Sequence, residues 1–210
     1  GSWEQVFAYT KHESSVNGIA WAPHEYGLAL ATASSDGKVA VLSHTGGSWS
    51  EATIEVPMGC NAVSWAPFGH LGSQAEGGGS LRRLVTASCD NTVRIWAESA
   101  AGGWTEEATL RNHSDWVRDV AWAPSAGMPV NTVASCSEDK RVIIWTQSTT
   151  GGEWVPAELP PFSAPVWRVS WSLTGNVLAV AAGDQQVTLW KQALDGTWNQ
   201  VSTVGDTPRQ

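Results

Sequence analysis

The chain has 210 residues with 42% hydrophobic content, enough for a substantial core in one domain or two. Its formal net charge is −8, and its twelve basic residues are scattered with no run longer than Arg82-Arg83. That disfavours nucleic acid or an anionic membrane surface as the main ligand, because both select clustered Lys and Arg. No apolar stretch approaches the roughly 20 residues that span a bilayer, which disfavours membrane insertion, and three cysteines without a CxxC pair fit a reducing compartment.

Fourteen Trp stand against three Phe and two Tyr, so one position that requires Trp recurs along the chain. The first predicted element is a strand from Trp3 to Tyr9. It reads as the last strand of a four-stranded unit whose other three strands are not in this chain, so the natural chain is expected to be longer by about two repeats on its N-terminal side. Four complete units follow. Each opens with a strand ending in apolar-x-Trp, in VNGIAWAP, CNAVSWAP, VRDVAWAP and VWRVSWSL. A second strand lies near LALATA, RLVTAS, TVASCS or VLAVAA. A third follows an Asp turn, in SSDGKVAVL, SCDNTVRIW, SEDKRVIIW and AGDQQVTLW, and a fourth begins at a Gly-x-Trp variant such as GGSW or DGTW.

The alternation at Val93-x-Ile95, Val142-x-Ile144 and Val187-x-Leu189 has the period of two expected of a pleated strand packed on one face. Around Ile19, Val63, Val120 and Val169 the next residue but one is always Trp, and the small Ala20, Ser64, Ala121 and Ser170 between them suit a crowded surface near a ring axis. From Trp21 to Trp65, Trp122 and Trp171 the steps are 44, 57 and 49 residues, close to the period of a four-stranded propeller blade. The long step contains FGHLGSQAEGGGS, Phe68 to Ser80, which reads as a flexible surface loop; its glycines lack the GK[ST] of a phosphate-binding loop. The chain is therefore expected to be all-β, a single WD-repeat β-propeller segment over 1–210. It has four blades, at about 10–56, 57–110, 111–158 and 159–204, and one extra N-terminal strand.

His113, Ser135 and Asp139 in one repeat invite a hydrolase reading. A nucleophilic Ser sits on an exposed turn beside oxyanion donors, whereas Ser135 lies inside an apolar strand pattern. The spacing fits instead a structural tetrad in which Asp139 accepts from His113 and the relay passes through Ser135 to the Trp145 indole. At matching positions the first repeat has His12, Thr32, Asp36 and Leu42, the second Val56, Thr86, Asp90 and Trp96, and the fourth Phe162, Val180, Asp184 and Trp190. Only the Asp recurs in all four, as a tight turn needs and a catalytic acid does not. His24, His44 and His70 read as surface imidazoles rather than metal ligands. Cys89 and Cys136 read as small apolar residues interrupting strands, and the Asn112-His113-Ser114 sequon as a chance triplet. No catalytic, cofactor-binding or metal site is expected.

The strings GCNAVSWAP, HSDWVRDVAWAPS, VASCSEDKRVIIWT and VWRVSWSLTGNVLAVAAGDQQVTLWK, in this order, strongly resemble the small WD-repeat propeller subunit of the outer COPII vesicle coat, shared with the Y-shaped scaffold of the nuclear pore. The resemblance covers nearly all of the chain. It implies a six-bladed open propeller without enzymatic activity, a scaffold into which a large α-solenoid coat protein or nucleoporin donates a further blade. It also implies the cytoplasm, at the cytoplasmic face of the endoplasmic reticulum and COPII vesicles, and the nuclear envelope at nuclear pores. The segment matching the docking edge is not in this chain, so no partner-contact residue is transferred. A peptide-reading WD-repeat adaptor is the alternative, and it would require aromatic or acidic residues converging at the central channel.

Overall fold

A computed structural model describes residues 1–74, 80–99, 101–124 and 129–204. Among these residues sixteen strands form four antiparallel sheets, each a meander in strict chain order. The first sheet contains β1 (Val16–Trp21), β2 (Leu28–Ser34), β3 (Lys38–Thr45) and β4 (Ser48–Glu55); the second contains β5 (Cys60–Trp65), β6 (Arg83–Ser88), β7 (Thr92–Glu98) and β8 (Trp104–Arg111). The third has β9 (Val117–Trp122), β10 (Asn131–Ser137), β11 (Val142–Gln147) and β12 (Val155–Glu158), and the fourth β13 (Val166–Trp171), β14 (Val177–Ala182), β15 (Val187–Gln192) and β16 (Trp198–Val204).

Neighbouring sheets pack face to face, and each interface holds its own apolar cluster. Val63, Trp65, Leu84 and Trp96 meet Ala31, Val39 and Val41 between the first and second sheets. Val120, Trp122, Val133 and Trp145 meet Val85, Val93 and Ile95 between the second and third, and Val169, Leu178, Val180 and Trp190 meet Ala134, Val142 and Ile144 between the third and fourth. The inner strands of the two middle sheets are therefore covered on both faces, not one as their alternation suggested: all six residues of β6 are buried, and so are Val142 to Trp145 of β11. Polar Thr86 and Ser135 are tolerated there because each is hydrogen-bonded within its blade.

The recurrent tryptophans have a common task. Trp65, Trp122 and Trp171, at the ends of first strands, each meet the Gly-x-Trp ring of their own blade, Trp104, Trp154 and Trp198, with centroids 5.7–5.8 Å apart. Two of them also reach across to the preceding blade, the Trp65 indole N–H donating to Ala20 O and that of Trp171 to Ala121 O, both at 3.0 Å. In the first blade Trp49 stacks on Phe7 at 4.8 Å instead.

Trp3 to Tyr9 forms no strand. The expected ladder is absent because a strand exists only through hydrogen-bonded neighbours, and among the described residues none runs beside this segment. It is tied to β4 by side chains, with Phe7 on Trp49 and the Tyr9 hydroxyl donating to Glu51 at 2.6 Å. Of the Phe68–Ser80 loop, residues 75–79 lie outside the described set. The rest is anchored rather than loose: Leu71 O accepts from Arg83 and from Asn131, and Gln74 pairs with Ser80. His70 is correspondingly buried, not a surface imidazole, with its Nδ1–H donating to Pro67 O at 2.9 Å and its ring edge-on to Trp122. Cys136 is buried within β10, but Cys89 lies in the turn after β6 rather than in a strand.

Candidate functional site

The four turn aspartates behave alike. Asp36, Asp90, Asp139 and Asp184 each accept, through Oδ1, from the backbone N–H two residues on, at 2.9–3.1 Å. The residue after each Asp is left-handed, with φ of 83° at Gly37, 68° at Asn91, 67° at Lys140 and 67° at Gln185. An Asx turn followed by a left-handed residue closes the hairpin between the second and third strands of every blade, which explains why the Asp recurs while the residue after it varies.

The third blade brings His113, Ser135, Asp139 and Trp145 together. The Trp145 indole N–H donates to Ser135 Oγ at 2.9 Å, Ser135 lies 2.8 Å from His113 Nε2, and His113 Nδ1 lies 2.9 Å from Asp139 Oδ2. The direction that satisfies every group runs Trp145 to Ser135 to His113 to Asp139. Burial works to raise the Asp139 carboxyl, but hydrogen bonds from His113 and from the Ser114 and Arg141 N–H groups outweigh it and hold the carboxyl well below the ordinary range. Ser135 is completely buried. Its hydroxyl is engaged on both sides, by the Trp145 N–H and by His113.

The other blades keep parts of it. In the first, His12 bridges Asp36 Oδ2 at 2.8 Å and Thr32 Oγ1 at 2.7 Å, and the relay ends there because Leu42 replaces Trp. Burial at Asp36 is again outweighed, by the Glu13 N–H and His12, leaving its carboxyl at about 2. In the second, Val56 replaces His and the guanidinium of Arg94 takes over Asp90, while the Trp96 N–H still reaches Thr86. In the fourth, Phe162 packs edge-on to Trp190, whose N–H turns to Thr188, and Ser163 donates to Asp184. Arg94 and Thr188 were not singled out in the sequence, because each lies two residues before the third-strand Trp, outside the tetrad positions.

A second cluster also escaped sequence reading. It lies where the first strands begin, in a cavity of about 480 Å³ lined by Asn17, Asn61, Arg118 and Trp167 together with Met58 and Arg168. The neighbouring Asp119 is buried and accepts from the Val169 N–H of the next blade at 3.1 Å; burial raises its carboxyl. Among the described residues no group of three His, Cys, Asp or Glu could hold a metal ion, and no helix is long and apolar enough to cross a membrane.

Four meander sheets packed face to face, each closed by an Asp turn, define a WD-repeat β-propeller arc. Consistent with this, a family model for the WD domain, G-beta repeat, matches residues 3–42, 52–97, 104–146 and 157–191. The chain is 44% identical to the protein transport protein SEC13 of Mycosarcoma maydis, over 97% of this chain and 64% of that protein. It is 43% identical to a SEC13 homolog of Drosophila melanogaster, over 99% of this chain and 61% of that protein. With the protein transport protein sec13 of Aspergillus clavatus the identity is 46%, over 97% of this chain and 70% of that protein. The chain belongs to the SEC13 family of WD-repeat proteins. It spans less than two thirds of the length of the first two of these relatives.

Proposed function

We propose that this chain is part of a scaffold subunit of the COPII coat, and of the outer nuclear pore scaffold, that works by taking strands from a large α-solenoid partner into its ring. The observation that carries the reading is the state of the two end sheets. Val63 and Trp65 of β5 are each 7% exposed because the first sheet covers them, whereas the equivalent Ile19 and Trp21 of β1 are 67% and 61% exposed. Leu28 on the same sheet is half exposed, and Val201 and Val204 on β16 are exposed at the other end. A ring built on this arc must cover both flanks, by the protein's own further blades or by strands added by a partner, which satisfy backbone groups while burying apolar faces. The relatives named for protein transport support the setting, which implies the cytoplasmic face of the endoplasmic reticulum and the nuclear envelope. The tetrad and the turn aspartates then serve rigidity, and partner-contact residues lie on the ring edges.

Coexpression of the full-length protein with the blade-donating segment of its solenoid partner, followed by gel filtration in about 0.5 M salt where exposed ion pairs are screened, tests this. Coelution is expected, with edge-strand amides protected from hydrogen exchange. Dissociation at that salt, or a free protein already protected at every ring edge, overturns it.

A further inference from the structure

The first strand of every sheet carries a β-bulge at its second residue. Pairing runs from Val16 to Gly18 across Ser34 and Ala33, from Cys60 to Ala62 across Ser88 and Ala87, from Val117 to Asp119 across Ser137 and Cys136, and from Val166 to Arg168 across Ala182 and Ala181. The extra residues are Asn17, Asn61, Arg118 and Trp167, and all four line the same cavity. A bulge leaves one residue out of the ladder and turns its side chain, so a repeated bulge collects four side chains at one end of the ring.

In two blades the bulged residue locks the ring. Asn17 Nδ2 donates to Cys60 O at 3.0 Å and Asn61 Nδ2 to Val117 O at 2.8 Å, each reaching the next blade. The other two depart from that use. Arg118 replaces the amide and lies over two half-exposed tryptophan rings, 5.0 Å from the Trp116 centroid and 5.2 Å from that of Trp167. One edge of its guanidinium meets Glu138, and its Nε–H has no partner. Arg168 beside it is mostly exposed, 3.8 Å from Asp119. In a chain of net charge −8, no residue lining this cavity is acidic and two are cationic.

Met58 completes the rim. It is 76% exposed and left-handed at φ 62°, a conformation that costs a side-chain-bearing residue energy and that glycine takes freely. Trp, Met and Arg are the residues enriched at the centres of protein interfaces. The two rings already hold a cation, so the site does not await another. What it offers is a flat guanidinium held by stacking and a second, mostly exposed Arg, which are donors for carboxylates.

We propose that the bulge cavity at this end of the propeller binds an acidic, apolar-flanked segment of a partner protein, its carboxylates on Arg118 and Arg168 and its apolar side chains against Met58, Trp116 and Trp167. The proposal does not depend on the scaffold reading, because the ring edges and this cavity are separate surfaces.

The test uses the full-length protein and a fluorescein-labelled decapeptide of alternating Glu and Leu, with alternating Lys and Leu as the control, read by fluorescence anisotropy at low salt. Saturable binding of the Glu-Leu peptide alone is expected, weakening as salt rises. Arg168→Gln, at an exposed position, should weaken it about tenfold. Met58→Gly separates binding from folding, because it should raise the melting temperature by relieving the left-handed strain while lowering affinity for the peptide. Absence of saturable binding, equal binding of the Lys-Leu peptide, or affinity unchanged in both variants overturns the proposal.

Discussion

At the scale of single residues, the hydrogen-bond relay of the third blade places the largest demand on composition. Replacing His113 by Ala leaves Asp139 and Ser135 each short of a partner in a buried setting, at about 1–3 kcal/mol per unsatisfied group. Asp195→Ala, on a fully exposed turn, should change urea-unfolding stability little, and equal effects of the two would count against the relay. His70 makes a different prediction. Burial, with Arg83 adding to it against the bond to Pro67 O, lowers its pKa from 6.5 to about 4. The unfolded chain then takes up a proton on this ring between those values while the folded chain does not, so stability falls as pH drops from 6.5 to 4, by about 3 kcal/mol at most. Asp36 and Asp90, both held at about 2, lose their contributions only below 3.8, and Asp119, raised by burial, works in the opposite sense. Unfolding curves of the protein and of His70→Asn should therefore converge as pH falls towards 4; a constant gap refutes the buried neutral ring.

At the scale of elements, the strand-ending tryptophans allow a comparison within one molecule. Trp65 and Trp171 donate across the blade interface, whereas the Trp122 indole N–H is buried without a partner. All three rings contact a second Trp at 5.7–5.8 Å, Trp65 and Trp122 edge-on and Trp171 tilted. Phe at position 122 should therefore cost less than Phe at 65 or 171, by roughly the 1 kcal/mol of a net hydrogen bond, and thermal unfolding of the three variants would read the order directly. The strands and Asp turns were legible in the sequence because period-two alternation and Asx chemistry are local properties. The bulges were not. Whether Asn61 or Arg118 stands in the ladder depends on the register of its neighbour, and VRDVAW has no local mark of it. Trp3–Tyr9 failed in the opposite way, since a strand-like pattern forms no strand without a partner, and His70 was misread because its burial depends on Trp122, 52 residues along the chain.

At the scale of the whole molecule, successive blades repeat one contact, the first-strand apolar pair of each blade against the sheet before it. Val63 with Trp65, Val120 with Trp122 and Val169 with the partly buried Trp171 make it in the second, third and fourth blades, within or against the interface clusters. Ile19 and Trp21 present the same pair 67% and 61% exposed, with no other sheet of the described residues against it. Fully burying a side chain of this kind contributes about 1.5–3 kcal/mol, so two of them, with Leu28 beside them, form a strong adhesive patch on the first sheet of the 210-residue chain. Expressed alone, the chain should self-associate through that flank, with light scattering that grows with concentration and persists in about 0.5 M salt because apolar burial is not screened. Trp21→Lys should reduce the scattering with little effect on the melting temperature, since the residue is 61% exposed. Trp65→Lys, at the equivalent position inside the arc, should abolish cooperative unfolding. In the full-length protein the order changes: if a further sheet covers β1, Trp21→Lys becomes destabilising there too. A Trp21→Lys substitution that leaves both the short and the full-length proteins equally stable would show that no blade docks on this face.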